Sequence, residues 1–431
     1  MTSVIQTVPL AELAAPKGLI GGPFGSSLGK KDYVASGVPV IRGQNLESSS
    51  RFTSDKFVYV TPEKVARDLA GNVARPGDVI FTQRGTLGQV GLVPNEPNQQ
   101  YVISQSQMRF RADPGKADAR YVYYCFRAPE MIRLIERRAI VTGVPHINLG
   151  ALVDLPVPYR PLREQRAIAD VLSAFDDKIA VNRRIRDACA SLMATRFCHE
   201  ARPALENVAG DEPLPSGWHR TTLGAVLDVL ETGDRPRGGV SGYSNGVPSL
   251  GAESVLGLAL YKDAKTKFVP VEFFERMSRG IARDRDVLLY KDGGRPGEFE
   301  PHVALLGGGF PFKAYCINEH VYRLRATPPL TQEYLYCWLT HRLLLQAMRR
   351  SGTGVAIPGL NSTAVKALPV VVPPKGVLAS FAAVAESLVS AALAAGRESQ
   401  VLAATRDVLL PRLLSGELRV RDAQKLVDEA V

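Results

Sequence analysis

Apolar and small side chains recur in alternating steps of four and three along residues 161–200, the most regular pattern in the chain. No glycine interrupts this stretch, and its only proline comes first, where a helix tolerates a missing N–H. Residues at such spacing share one helix face and form the seam of a coiled coil. The sequence therefore predicts a long central helix within 159–202, with seam positions Ile168, Leu172, Phe175 and Ile179.

A second stretch of the same kind begins at Pro374 and ends near Leu414. Its seam positions are Phe381, Leu388 and Leu402, and small alanines stand between them where the first stretch has leucine and isoleucine. The same number of residues separates each position of the first stripe from its counterpart in the second. Because one long amphipathic helix cannot bury its stripe alone, we expect the two helices to pair, bulky side chains against small ones.

Three polar residues, Asn182, Arg186 and Ser399, fall on the predicted seam. Polar seam residues cost stability and can fix the register of a helix pair. Alternatively, they face solvent where the apolar stripe drifts around the helix. The sequence leaves both interpretations open.

The segments that precede the two helices also repeat. Residues 101–112 (YVISQSQMRFRA) align with residues 315–326 (YCINEHVYRLRA), and Leu-Pro-Val follows in both halves, at 155–157 and 368–370. Two similar domains that each end in a long helix indicate a tandem duplication.

The duplication predicts four segments: a first domain at 1–158, a central helix at 159–202, a second domain at 203–371, and a C-terminal helix with a tail at 372–431. Residues 203–217 are rich in proline and glycine and are predicted to be a linker. In the first domain, short strands are predicted at 37–41, 78–81, 89–93, 107–111 and 152–158, and one or two helices at 118–140.

The formal net charge of +10 favours an anionic partner such as nucleic acid or an acidic membrane surface. Five scattered cysteines without a Cys-x-x-Cys pair indicate a reducing compartment. The N-terminal residues show no basic segment followed by an apolar core, so we expect no export signal and a cytoplasmic protein. Residues 377–396 approach the length of a membrane span, but Glu386 at their centre favours the helix-pair interpretation and no membrane partner.

Polar residues suited to DNA lie in predicted loops of both domains. Arginine reads guanine and glutamine or asparagine reads adenine by paired hydrogen bonds, whereas lysine mostly holds phosphate. Each of these residues can instead be a solvated turn residue, and as a group of loops on a basic domain they favour DNA contact. The candidates are Lys30, Lys31, Arg42, Gln44, Asn45, Gln83, Arg84, Thr142, His146, Arg235, Arg237, Glu253, Ser254, Lys291 and Thr353.

Sequence motifs of catalysis are missing from this sequence. Neither Pro-Pro pair, at 328–329 or 373–374, stands in the Asn/Asp-Pro-Pro-aromatic motif of adenine methyltransferases, and there is no Gly-rich cofactor loop or Walker A motif. The six histidines lack metal-ligand spacing. We therefore predict no catalytic residue, no metal and no cofactor for this chain.

The chain resembles the specificity subunit of a type I restriction–modification system. The resemblance rests on Gly-Val-Pro-Val-Ile at 37–41, Pro-Gly-Asp-Val-Ile at 76–80, LREQRAIADVL at 162–172 and LPRLLSGE at 410–417, in this order and within a duplicated chain. It covers essentially the whole sequence. It implies an α+β fold with two mixed target recognition domains, joined by two long antiparallel coiled-coil helices and related by a pseudo-two-fold axis.

The resemblance also implies a function. Each domain would read one half of a bipartite double-stranded DNA target, and the paired helices would set the spacer and dock methyltransferase subunits, two in number. Restriction subunits would join that complex, and catalysis would belong to the partners. One departure concerns docking: the second helix has Gly376-Val377 where the first has Glu164-Gln165.

Two other classes of function remain as alternatives. A fused methyltransferase or nuclease would read its own site, but it needs the cofactor and catalytic motifs that this sequence lacks. A coiled-coil DNA-binding scaffold without a catalytic partner would not need two divergent sets of polar loops.

Overall fold

The structure is a computed structural model, and it describes residues 6–46, 50–54, 57–95, 97–141, 143–208, 213–262, 266–293, 298–352 and 358–430. The chain divides into two compact units. Unit 1 comprises Met1–Ala180 and Val401–Val431, and unit 2 comprises Val181–Gln400. Each unit thus contains one of the two predicted recognition domains.

Short strands build the sheets of both units. The strands are β1 (Thr7–Pro9), β2 (Ala14–Gly21), β3 (Val38–Ile41), β4 (Val58–Val60), β5 (Val73–Ala74), β6 (Val79–Thr82), β7 (Val90–Leu92), β8 (Tyr101–Ile103), β9 (Gln107–Ala112), β10 (Pro156–Pro158), β11 (His219–Thr222), β12 (Leu227–Thr232), β13 (Val247–Leu250), β14 (Lys267–Val269), β15 (Val287–Tyr290), β16 (Val303–Leu305), β17 (Cys316–Ile317), β18 (Val321–Ala326) and β19 (Pro369–Val372).

Two of the helices are about 40 residues long and the others are short. The helices are α1 (Pro62–Lys64), α2 (Ala119–Arg127), α3 (Pro129–Arg138), α4 (Leu149–Val153), α5 (Leu162–Glu200), α6 (Arg202–Glu206), α7 (Val271–Glu275), α8 (Gln332–Thr340), α9 (Arg342–Ser351), α10 (Ser362–Ala367), α11 (Lys375–Leu414) and α12 (Val420–Ala430). The predicted long helices are confirmed as α5 and α11, to within a residue at each end.

Unit 1 contains two four-stranded sheets and one two-stranded sheet. The strand orders are β2-β9-β6-β7, β4-β3-β8-β5 and β1-β10. All neighbours are antiparallel except β3 and β8, which run parallel. The strands predicted at 37–41, 78–81, 89–93 and 107–111 are confirmed as β3, β6, β7 and β9.

Unit 2 repeats this topology except for one strand. Its sheets are ordered β12-β18-β15-β16, β14-β13-β17 and β11-β19, again with one parallel pair, β13 and β17. An isolated bridge between Ile281 and Cys316 stands where β5 pairs with β8 in unit 1. The tandem duplication predicted from the sequence is therefore present in the topology of the described residues.

Two local predictions were wrong in part, and the tail, for which no secondary structure was predicted, is helical. The strand predicted at 152–158 begins as helix α4, because the Asn148 side chain caps it by accepting from the backbone N–H of Ala151 at 2.8 Å, and only β10 is extended. The linker at 203–217 contains most of α6. The tail beyond Gly416, which ends α11 with a φ of +73°, forms α12 and buries Ala423 and Val427.

The first half of α5 and the last turns of α11 pair within unit 1. Ile168, Leu172, Phe175 and Ile179 are buried in one apolar core together with Leu402. Side-chain contacts pair residues in reverse order along the two helices, which is an antiparallel arrangement. The Asp176 carboxylate forms a buried ion pair with Arg406, and Arg160 donates to the carbonyl of Leu414 at 3.1 Å.

Within unit 2 the remaining parts of α5 and α11 are also antiparallel. Phe381 is buried against Phe197, with ring centroids 6.0 Å apart, and Leu388 is partly buried in the same core. The buried amide of Asn182 donates to Glu398 at 2.7 Å, which fits the interpretation that this polar residue fixes register. The guanidinium of Arg186 and the hydroxyl of Ser399 bond within their own helices.

Helix α11 is long and apolar enough to cross a membrane by length and composition. In unit 2, however, its apolar residues Phe381, Val389 and Leu393 belong to the core, and Glu386 pairs with Arg285 at 3.6 Å. The apolar composition of this part of the helix is thus explained by packing against the domain.

Candidate nucleic-acid interface

The predicted DNA-contacting loops of unit 1 meet around one turn, residues 104–107, between β8 and β9. The Ser104 N–H donates to the carbonyl of Ile41 at 3.0 Å, and the Gln83 N–H donates to the carbonyl of Ser106 at 2.7 Å. These bonds bring the loops that follow β3 and β6 to the turn. We call residues 22–31, 42–45, 83–86, 104–107 and 143–146 the unit 1 loop surface.

Two other loops are held in place by further bonds, residues 22–31 at this turn and residues 143–146 at the 83–86 loop. The Gln105 amide donates to the carbonyls of Gly25 at 2.6 Å and Leu28 at 2.9 Å. Gly22 lies so close that a Cβ at this position would stand 2.2 Å from the Ser104 carbonyl oxygen. On the other side, the Gly85 N–H donates to the carbonyl of Pro145 at 3.2 Å. The sequence did not predict this convergence, since the loops are distant along the chain.

Most of the predicted side chains on this surface reach solvent. Lys30, Lys31, Gln44 and Arg84 are exposed, whereas Arg42, Gln83 and His146 are half-buried. The His146 backbone forms an isolated bridge with Arg84, so these two residues lie side by side. Cationic and amide side chains facing outward in one patch suit phosphate and base-edge contact. Thr142, predicted to act with them, lies outside the described residues.

Asn45 has a different position from the other candidates. It is 0% exposed, its carboxamide oxygen accepts from the Arg42 N–H at 2.9 Å, and its amide donates to the carbonyl of Thr53 at 2.9 Å. These bonds hold the turn that presents Gln44. The structure therefore gives Asn45 a supporting role, and its position offers no support for direct DNA contact.

Unit 2 builds the corresponding surface around residues 318–320. The Asn318 N–H donates to the carbonyl of Leu250 at 3.0 Å, and the Lys291 N–H donates to the carbonyl of His320 at 3.0 Å. These bonds match those of Ser104 and Gln83 in unit 1. We call residues 232–246, 251–254, 291–293 and 318–320 the unit 2 loop surface.

Charged side chains on this second surface take part in ion pairs. Arg235 and Arg237 are exposed, but Arg235 pairs with Glu319 at 2.7 Å, and Glu253 pairs with Lys267 at 3.0 Å. Ser254 is buried, as Asn45 is at the same turn position in unit 1. Thr353 lies outside the described residues.

Lys291 contacts the carboxylate of its neighbour Asp292 at 2.8 Å, and His320 contacts the same carboxylate. Although burial opposes ionisation, the hydrogen bonds from Lys291 and His320 lower the pKa of Asp292. Asp292 is therefore charged at neutral pH, and it neutralises part of the positive charge at this edge. The two surfaces thus share a backbone frame and differ in electrostatics.

The arginines that match between the two halves of the sequence are structural. Arg111 holds Asp78 with two hydrogen bonds of 2.7 Å, and in unit 2 both Arg323 and Arg325 hold the buried Asp286, at 2.8 and 2.9 Å. In both units the carboxylate also accepts a backbone N–H three residues before it. These ion pairs lock the Pro-Gly-Asp turn of unit 1 and its counterpart onto the adjacent strand.

Sequence reasoning missed several residues on the two surfaces. Phe24 is 87% exposed beside Gly25, and an apolar side chain there can contact a thymine methyl group. Gln105 and Glu319 occupy the same position of the repeat, in 101–112 and 315–326, and differ in charge. That divergence inside a conserved frame was the available signal. Within the described ranges, no three His, Cys, Asp or Glu side chains are grouped to hold a metal ion.

Replacing both Lys30 and Lys31 by alanine should weaken binding to all DNA sequences about equally, because exposed lysines on a short turn suit phosphate contact. The slope of log K against log salt concentration should fall by about one for each lost contact. Titration of the complex with target and scrambled duplexes at several salt concentrations measures both quantities. A loss confined to the target sequence would instead assign these lysines to base recognition.

A family model described as the type I restriction modification DNA specificity domain matches residues 30–188. The MjaIX type I restriction enzyme specificity subunit of Methanocaldococcus jannaschii is 21% identical over 415 residues, covering 94% of this chain and 92% of that one. A putative specificity subunit of the same organism, MjaX, is 23% identical over 338 residues, covering 69% and 78%. The crystal structure of an S subunit from M. genitalium shows a TM-score of 0.49 at 18% identity, covering 96% and 97%.

The match to the MjaIX subunit spans nearly the whole chain, so that similarity includes both domains and both long helices. The duplicated topology and the two loop surfaces agree with a protein that recognises DNA. Over nearly its whole length the chain is therefore similar to the specificity subunits of type I restriction–modification systems.

Proposed function

We propose that the domains at 1–158 and 203–371 each read one half of a bipartite double-stranded DNA target. The observation that carries this proposal is one backbone frame, built twice, that presents two unlike sets of side chains. The third position of the same short turn is Gln44 in unit 1 and Glu253 in unit 2, and the turn at β8–β9 carries Gln105 where unit 2 carries Glu319. Equal frames with unequal side chains suit two different half-sequences.

The chemistry of the side chains on the two loop surfaces fits major-groove recognition. Arginine donates two hydrogen bonds to guanine, glutamine exchanges two with adenine, and glutamate accepts from cytosine. Arg84 and Gln44 offer the first two patterns on unit 1, and Arg237 and Glu253 offer guanine and cytosine contacts on unit 2. Lys30 and Lys31 supply sequence-independent phosphate attraction.

The two long helices set the spacer between the half-sites and dock two methyltransferase subunits, to which restriction subunits can be added. Exposed apolar side chains on α5 support docking, since Val181, Ile185 and Leu192 recur at steps that place them on one helix face. A complex that modifies and cuts cellular DNA works in the cytoplasm. As a specificity subunit, the chain itself is non-catalytic. The two alternative functions, a fused enzyme and a scaffold without a catalytic partner, are not favoured.

Two single substitutions test the division between half-sites. In the complex with its methyltransferase subunit, Arg84→Ala should relax recognition in one half of the methylated motif, and Arg237→Ala in the other half. The methylated motif is determined by sequencing modified bases in cells that carry each variant. If both substitutions altered the same half, or if the wild-type complex methylated no bipartite motif, the proposed function would be wrong.

A charged residue on the exposed apolar face should disrupt docking. Leu192→Glu, combined with Ile185→Glu, should weaken co-purification with the methyltransferase subunit at least tenfold, because burying a carboxylate in an apolar interface is unfavourable. Ser191→Glu combined with Ala194→Glu, at two other exposed positions of α5, is the matched control of equal charge. Unchanged co-purification of the double variant would remove this face from the interface.

A further inference from the structure

Glu319 occupies an unusual position on the unit 2 loop surface. Its side chain is 28% exposed, yet both carboxylate oxygens are shielded from solvent. The Nε of Arg235 lies 2.7 Å from one of these oxygens, and the Arg235 side chain is 56% exposed. The ion pair therefore joins a shielded acid to an arginine whose side chain extends into solvent.

The backbone before Arg235 is fixed as well. The Gly233 N–H donates to the carbonyl of Asn318 at 3.1 Å, and a Cβ on Gly233 would overlap the carbonyl oxygen of Ile317. The Asp234 carboxylate accepts from the Arg235 N–H at 3.0 Å and lies 3.6 Å from Arg279. Arg235 is thus anchored at its backbone, and the ion pair with Glu319 restrains its side chain.

An arginine held at Nε keeps its two terminal nitrogens for another partner. Bidentate recognition of guanine needs two parallel N–H donors, aimed at O6 and N7. Preorganising that fork reduces the side-chain entropy that binding would cost, because the rotamers are already restricted. A shielded carboxylate is also costly without a cation, so Glu319 and Arg235 hold each other in place.

The residue of unit 1 that aligns with Glu319 has a related structural role. Gln105, which aligns with Glu319 in the repeat, donates to the carbonyls of Gly25 and Leu28 and so fastens the first loop of its own surface. In each unit, the residue at this turn position thus contacts the first loop of the surface. Gln105 does so as a hydrogen-bond donor in unit 1, and Glu319 does so as an anion in unit 2. A surface ion pair formed by chance would not have this counterpart.

We propose that Glu319 is a positioning residue that aims Arg235 at a guanine in the half-site read by the second domain. The inference rests on the proposed function and deepens it by assigning one base pair to one residue pair. Glu319 acts through Arg235 and does not itself contact the base.

The test uses the complete complex with its methyltransferase subunit and reads the methylated motif base by base. Arg235→Ala should relax one G·C position by about 5- to 150-fold in preference for guanine. Glu319→Ala should relax the same position by about tenfold, and Glu319→Gln, which keeps the shape but not the charge, by less. The double substitution should be no worse than Arg235→Ala alone, since the two residues act as one unit.

The half-motif read by the first domain should stay unchanged and serves as the internal control for folding and assembly. The proposal is overturned if Glu319→Ala and Glu319→Gln leave the guanine preference intact, if they weaken all sequences equally, or if their effect adds to that of Arg235→Ala. A wild-type complex that methylates no bipartite motif would overturn the proposed function instead. The two failures are therefore distinguishable.

Discussion

Replacing Asp286 by alanine should lower the free energy of unfolding by about 3–5 kcal/mol, the typical cost of leaving a buried charge without its partner. Asp286 is 0% exposed, and its carboxylate accepts from Arg323 at 2.8 Å, from Arg325 at 2.9 Å and from the Arg283 N–H at 2.7 Å. Arg323 is itself buried, so the substitution removes three bonds in the core and leaves Glu231, at 3.0 Å, as the remaining carboxylate partner of this cation.

Denaturant unfolding followed by tryptophan fluorescence measures this loss. Both tryptophans, Trp218 and Trp338, belong to unit 2, so the signal reports on the unit that contains Asp286. Glu300→Gln is the matched control, because Glu300 pairs with Arg349 on the surface and such pairs contribute little. Equal, small shifts for both variants would show that the buried ion pairs do not stabilise the domain.

Lengthening both long helices by four residues should lengthen the spacer of the DNA target by one or two base pairs. α5 passes from unit 1 to unit 2 after Ala180, and α11 passes back after Gln400, so both points need the insertion. Four residues add about 6 Å of helix, and base pairs rise about 3.4 Å each. The half-sequences should stay the same, because no recognition loop has changed.

A four-residue insertion after Ala180 alone, which lengthens α5 but not α11, is the control. The buried pairs Asp176–Arg406 and Asn182–Glu398 lie on either side of this point, so lengthening one helix forces a register mismatch of about one turn. We expect that variant to lose assembly or stability rather than change its motif. A doubly lengthened, active variant with an unchanged spacer would show that the helices dock partners and do not set the distance.

The long helices and the duplication were predictable because both signals are periodic and local. The stripe at Ile168, Leu172 and Phe175 needs only helical spacing, and Pro161 and Gly416 mark helix ends by their backbone preferences. The capped helix α4 was missed because its cap, Asn148, follows a loop and its apolar residues are too few to show a helical period. The C-terminal helix α12 was missed because its buried face has only Ala423 and Val427.

The candidate interface was predictable as a set of loops but not as a surface. Which side chains face outward depends on bonds between distant segments, such as the one from Gln105 to Leu28, and a single sequence does not display these. Asn45 and Ser254 illustrate the limit, since both have side chains suited to DNA contact and both are buried under their turns. Matched arginines such as Arg323 illustrate the opposite case, where a cationic residue is structural.

The central claim is that two independent readers lie in one chain, and exchanging one of them tests it most directly. Residues 1–158 are replaced by the corresponding domain of a relative with a different target, and the methylated motif is sequenced in cells that also carry the methyltransferase subunit. The account predicts that one half of the motif changes to the relative's half, while the other half and the spacer stay the same. A chimera that assembles and methylates, but changes both halves or neither, would contradict it.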